Sequence, residues 1–166
     1  MPVHSYFVLA AFTFLFLAFT LQVIRLSTLG SELLGHPPIE KLHFYTGKVA
    51  IFTTWVLFIL KAISPGLGYI YMPTWASWIA VVLLYCGVFF LSVSFFNLGK
   101  SLKVGIPSEE TALQTKGLYR LSRNPIYIGI HLIGAGSCIY FPDLINVTFM
   151  LYGIYIHHRV IREEER

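Results

Sequence analysis

Hydrophobic positions in this chain do not alternate with polar ones. They gather into long uncharged blocks separated by short polar stretches. The first block, residues 6–24, carries no charge and ends at Arg25. Nineteen helical residues reach about 28 Å, close to the roughly 30 Å hydrocarbon core of a bilayer. The leader MPVHS lacks the basic n-region of a cleaved signal, and no small-x-small site follows the block, so a retained helix is expected. Residues 25–43 hold Gly30, Gly35, Pro37 and Pro38 and read as a connection.

A second block, 44–63, has Lys48 near one end and Lys61 near the other, placed to snorkel to the two interfaces. Ser64-Pro65-Gly66 breaks it, and Tyr69 and Tyr71 in the following connection suit a membrane boundary. The third block, 75–98, is uncharged and long enough to span with some tilt. The largest polar stretch, 99–124, contains Lys100, Lys103, Glu109, Glu110, Lys116, Arg120 and Arg123. Beyond it, 125–156 carries a single charge, Asp143. One helix of that length would extend about 48 Å, too far for an ordinary bilayer. Pro142-Asp143 offers a turn in the middle, with Asp143 able to cap the next helix. The pattern therefore predicts an all-α integral membrane protein with about five transmembrane helices, at 6–24, 44–63, 75–98, 125–141 and 144–166. The last two form a tight hairpin, and the whole chain, 1–166, is a single domain.

Charge placement supports this count. Five spans put Arg25, Lys41, Lys48, the 99–124 cluster, Arg159, Arg162 and Arg166 on one face, with only Lys61 toward the other. The positive-inside rule makes the basic face cytoplasmic, with the N-terminus outside and the C-terminus inside. Composition agrees: 56% of residues are hydrophobic and only 12% charged, against about 25% charged in an average globular protein. The net charge of +4 is too small and too scattered for a nucleic-acid partner. Cys86 and Cys138 both fall inside apolar blocks, which argues against a disulfide scaffold.

Candidate chemistry clusters late in the chain. Asn124, Tyr127 and His131 are spaced by three and four and share one face of the fourth helix, whose first turn suits Pro125. Either Asn124 or Ser122 is placed to cap it. On the fifth helix Tyr152, Tyr155, Arg159 and Glu163 make a similar stripe, which a tight hairpin would set beside the first. Each residue also has an ordinary reading: Arg123 as an interfacial anchor, His131 as a satisfied core residue, the Glu163-Glu164-Glu165 run as a solvated face. Together they carry more weight, because ionisable side chains within a membrane bundle are costly unless they line a cavity or meet a partner. No metal site is expected, since His157 and His158 point apart on a helix and no HExxH is present. The Asn146-Val147-Thr148 sequon sits too close to lipid for glycosylation, and Gly99, Gly105 and Gly117 make no phosphate-binding fingerprint.

Residues 113–129, LQTKGLYRLSRNPIYIG, resemble the signature of the isoprenylcysteine carboxyl methyltransferase and phospholipid N-methyltransferase superfamily of membrane enzymes. That signature is a Gly-x-Tyr, then Arg-His-Pro or Arg-Asn-Pro, then Tyr-x-Gly. RVIREEER, residues 159–166, is similar to the family's Arg and paired glutamates, and Leu98-Gly99 to its Leu-Gly. The resemblance covers roughly residues 95–166 and implies methyl transfer from S-adenosylmethionine to a lipidic or small membrane-soluble acceptor, such as the carboxylate of an isoprenylated cysteine. The cofactor would enter from the cytoplasmic side. By motif position, Arg123, Asn124 and Tyr127 would line the cofactor pocket, with His131 deeper along the same face. Glu163 and Glu164 would hold the cofactor's hydroxyl or ammonium groups, with Arg159 beside them. Gly117 and Tyr119 would shape the loop, and Pro125 and Gly129 would set the backbone approach. Arg123 would alternatively orient an acceptor carboxylate, and Glu164 would take a proton from an amine or phenol acceptor.

Two departures stand out. Position 124 is Asn, which cannot titrate near neutral pH as a histidine would. The family's usual continuation, a Leu, Phe-Gly and a Tyr-x-x-Tyr stretch, does not follow the glutamates here. Either the sequence is truncated after Arg166, or its site is incomplete or closed by other means. Membrane sterol reductases, which use NADPH, carry a similar Arg-Asn-Pro-x-Tyr and paired-Glu arrangement on more helices, and a non-catalytic membrane module is the third reading.

Overall fold

In lipid no water is present to satisfy backbone N–H and C=O groups, so a long apolar segment must pair them internally, and a helix does so within one segment. A computed structural model of the chain describes residues 1–28, 36–98 and 117–164. Its five α-helices are α1 Val3–Thr28, α2 Lys41–Ile63, α3 Thr74–Leu98, α4 Pro125–Tyr140 and α5 Leu144–Glu164, with a 3₁₀ turn at Gly117–Arg120 before α4. No strand occurs among the described residues. Three helices, α1, α2 and α3, are long and apolar enough to cross a membrane, and α4 is a shorter apolar helix. The helix centres agree with the hydrophobic blocks. The ends of α1 and α2 reach a few residues further, because a helix does not stop where apolarity stops.

The helices pack side by side. α1 lies against α2 and α3, α3 against α4, and α2 against both α4 and α5. Phe12, Phe58, Leu84, Leu91 and Ile133 are buried along the shared axis. The outward faces are just as apolar: Phe14 and Phe89 are each 57% exposed, and Leu17 and Val82 point outward as well. Such a continuous oily surface would aggregate in water but is matched by acyl chains. The chain is an integral membrane protein.

Between lipid-soluble helices the hydrophobic effect adds little, so close backbone approach and buried hydrogen bonds hold the bundle. A Cβ on Gly129 would lie 2.8 Å from Leu91 Cγ and 2.9 Å from the Gly87 carbonyl oxygen. A Cβ on Gly87 would lie 2.7 Å from the Gly129 carbonyl oxygen. The α3–α4 crossing is therefore backbone against backbone. Elsewhere, Ser137 Oγ donates to the Thr54 carbonyl at 2.7 Å, joining α4 to α2.

The α4–α5 turn falls at Pro142-Asp143, and Asp143 Oδ1 accepts from the Ile145 amide at 2.9 Å, the capping role expected of it. Asn146 is 0% exposed. Its amide donates to the carbonyls of Ser137, at 3.1 Å, and Phe141, at 2.8 Å, at the end of α4. The sequon asparagine is thus used up inside the fold. Beyond the turn α4 lies chiefly on α3 and α5 chiefly on α2, with Met150 of α5 still packed against Gly134 of α4. Cys86 is exposed and Cys138 half-buried, and neither is in a disulfide.

Candidate active site

The approach to α4 is built by the 3₁₀ turn. Gly117 has φ +61°, a left-handed backbone that a side chain would strain, and the Asn97 amide at the end of α3 packs directly over it. Two residues on, Tyr119 is partly buried and hydrogen-bonded to Ser94 of α3. Burial pushes its phenol up to about 12, with the Ser94 bond acting in the opposite sense and more weakly. Gly-x-Tyr is therefore a clip fastening the turn to α3. After it, Ser122 Oγ accepts from the Asn124 amide at 3.2 Å. Asn124 stands at the N-cap position, but its side chain makes no cap hydrogen bond to the helix. Pro125 occupies the first turn as expected and is buried.

Along α4 the motif divides between two faces. Positions two apart on a helix differ by about 200°. Gly129 is turned to α3, whereas Tyr127 and His131 are turned to α5. The Tyr127 ring lies 4.9 Å from the ring of His157, centroid to centroid. His131 Nε2 and His157 Nδ1 are 3.2 Å apart, within hydrogen-bond reach. This imidazole pair stands about 10 Å along α4 from Asn124, at 1.5 Å per residue. It lies below the rim where α4 begins and α5 ends.

The α5 stripe expected from sequence does not form a single inward face. Tyr155 is 57% exposed and Arg159 is exposed too. Tyr152 turns to α2, its hydroxyl 2.8 Å from Thr46 Oγ1. The inward line of α5 is instead Asn146, Met150, Gly153, His157 and Val160. Polar side chains near a membrane boundary reach outward to water, so polarity alone does not identify the packed face. His157 is the residue that sequence reasoning misses. Taken with His158 as a metal pair it leads nowhere, yet it falls in the three-and-four spacing of small and apolar positions that marks the packed side. His158 is exposed. Among the described residues no group of three or more metal-ligating side chains occurs.

The remaining predicted site residues lie at the same end. Arg123 is exposed at the entrance to α4, and Glu163 is partly buried in the last turn of α5. Helical periodicity brings position 164 back to the register of His157, seven residues earlier; the Glu164 side chain lies outside the described residues. So do Gly99 and the 99–116 stretch.

The fold thus gathers the beginning of α4 and the end of α5 at one end of the bundle. No curated protein and no solved structure matches the chain. The sequence model of one family, described as phospholipid methyltransferase, matches residues 75–166, which take in α3, the 3₁₀ turn, α4 and α5. That match covers more than half of the sequence, and the chain belongs to the phospholipid methyltransferase family of membrane methyltransferases.

Proposed function

We propose that this protein transfers a methyl group from S-adenosylmethionine to a lipidic acceptor at the rim where α4 begins and α5 ends. One observation carries the reading: the family match covers both polar segments, 117–131 and 157–164, and the Tyr127–His157 contact fastens them together. The donor set suits a polar, positively charged cofactor. It offers an amide (Asn124), a phenol (Tyr127), and carboxylates on the last turn of α5 (Glu163, Glu164) for hydroxyl or ammonium groups, with a guanidinium (Arg123) to orient an anion.

When bound, the cofactor supplies a methyl carbon activated by its sulfonium. The protein's contribution is placement. Holding an acceptor in line with that carbon is worth several kcal/mol, up to about 7–11 in the best intramolecular cases. Arg123 orients the acceptor's phosphate or carboxylate. Pro125, Gly117 and Tyr119 fix the turn, and Gly129 fixes α4 against α3, so that Asn124 and Tyr127 keep their positions. An ionised carboxylate or thiolate acceptor needs no base. An amine must lose a proton, and Glu164 takes it.

In this reading all five helices cross the bilayer, with the N-terminus outside and the site on the cytoplasmic face, in accordance with the positive-inside rule. The polar cofactor arrives from water and the oily acceptor from the membrane, which gives such chemistry a reason to be built into a membrane bundle.

Calorimetric titration of the detergent-purified protein with S-adenosylmethionine is the direct test. Saturable heat is expected, along with transfer of labelled methyl into a lipid fraction. A flat titration beside saturable binding of NADPH would replace this reading by the reductase one.

A further inference from the structure

We propose that the opposite end of the bundle holds a second binding site, independent of the methyl-transfer reading, in which Lys61 receives the phosphate of a lipid head group. A cavity of about 350 Å³ opens there, lined by His4, Lys61, Tyr71, Ser77 and Tyr140 among others. Tyr140 ends α4, some sixteen residues from the motif end, so the cavity and the candidate active site are separated by the length of that helix.

Lys61 makes this cavity a site. It is only 8% exposed, although it is the sole Lys or Arg at this end of the bundle among the described residues. Two of its three N–H donors are directed to the carbonyls of Pro65, at 2.8 Å, and Leu67, at 2.5 Å. The rings of Tyr71 and Phe141 lie 5.4 and 5.7 Å from Nζ, within cation–π range. Every one of these partners is neutral. Among the described residues no carboxylate is within ion-pair distance of the ammonium. The carbonyls position a full positive charge without cancelling it, and a buried charge left without a counter-charge is costly. An anion entering the cavity supplies what is missing.

The opposite wall is polar and already ordered. Tyr140 Oη is 2.7 Å from His4 Nδ1 and 3.0 Å from Ser5 Oγ, and Ser77 faces the same space. This combination of one ammonium with hydroxyl and imidazole groups suits phosphate oxygens.

Location favours a lipid as the source. The connection after α2 presents Tyr69, 99% exposed, with Ile70 and Tyr71 also exposed and Trp75 exposed at the start of α3, the aromatic belt of a membrane–water boundary. The cavity mouth therefore lies at head-group level. Its volume is at the low end of ligand sites, roughly 300–1,000 Å³, enough for a head group but not for acyl chains. Those chains have the exposed apolar faces of Phe7, Ile79 and Val82 to lie against.

Native mass spectrometry of delipidated protein in mild detergent tests this, with phosphatidylglycerol, diacylglycerol and inorganic phosphate as probes. A one-to-one phosphatidylglycerol adduct is expected, retained about tenfold better than diacylglycerol, as one charge-assisted contact would give. Lys61→Gln should lose that preference. Ser77→Asp is the second variant, since it puts a negative charge on the cavity wall that opposes an entering anion while suiting the first turn of α3, so folding is kept. Arg123→Ala, at the other end, should retain the adduct. Equal retention of diacylglycerol, or undiminished phosphatidylglycerol on Ser77→Asp, overturns the site. Inorganic phosphate held as well as the lipid overturns the lipid assignment.

Discussion

The two sides of α4 are packed in opposite ways. Toward α3 the helix has almost nothing between backbones: Gly129 faces the Gly87 carbonyl and Leu91. Toward α5 it carries Tyr127 and His131, ring against ring and nitrogen against nitrogen with His157. One short motif, Arg123 to Gly129, feeds both sides. A family signature therefore mixes positions that hold α4 against α3 with positions that turn polar rings toward α5. Spacing along the helix separates them better than residue type does.

Four outcomes break or sharpen that contrast. The largest effect belongs to the α3 side. Gly129→Leu should leave no folded, monodisperse protein by fluorescence-detected size-exclusion chromatography, and Gly129→Ala should lower stability by about 1–3 kcal/mol through overpacking. A well-folded Gly129→Leu protein would show that the crossing is loose.

On the α5 side, His157→Leu should cost about 1–3 kcal/mol in detergent thermal unfolding, because it leaves the His131 nitrogen buried without its partner. The His131→Leu, His157→Leu double variant should recover part of that loss, since both polar groups go together. Additive losses would mean that the pair is not coupled.

Arg123→Ala should leave stability within about 0.5 kcal/mol, as for other exposed positions. It should also weaken S-adenosylmethionine binding or methyl transfer about tenfold, equivalent to about 1.4 kcal/mol. Unchanged binding and turnover would remove Arg123 from the site.

The smallest effect concerns the clip. Tyr119→Phe should cost about 1 kcal/mol for the lost Ser94 bond. In ultraviolet titration, the wild-type minus Tyr119→Phe difference should show a phenol ionising near 12. The raised value means that the folded state prefers the neutral phenol. Its contribution is complete below the usual tyrosine range near pH 10 and falls away as pH rises toward 12. Ionisation near pH 10 would mean that the ring is not docked.

Much of this architecture is legible in the amino-acid sequence. The helix blocks follow from hydropathy, because lipid permits few alternatives for an apolar segment. Pro142-Asp143 marks the turn, and the Asn124, Tyr127, His131 spacing marks a shared face. What hydropathy does not reveal is which side of each helix faces inward. In a bilayer both sides are apolar, so the usual contrast between core and surface disappears. The signals left are small residues where backbones meet, as at Gly87 and Gly129, and buried polar groups with partners, as at Asn146. On α5 the polar residues Tyr155 and Arg159 stand out in the sequence although they face outward. His157, lying between them, shows only through its spacing from the small and apolar positions of the packed side, its partner being 26 residues earlier in the chain.

The seam between α4 and α5 bears on how the last two helices are kept in register. It is fastened at intervals from the turn to the rim, by Asn146 on the end of α4, Met150 against Gly134, and His157 against His131 and Tyr127. Loss of any single one of these contacts, the imidazole pair included, should therefore leave the two helices side by side.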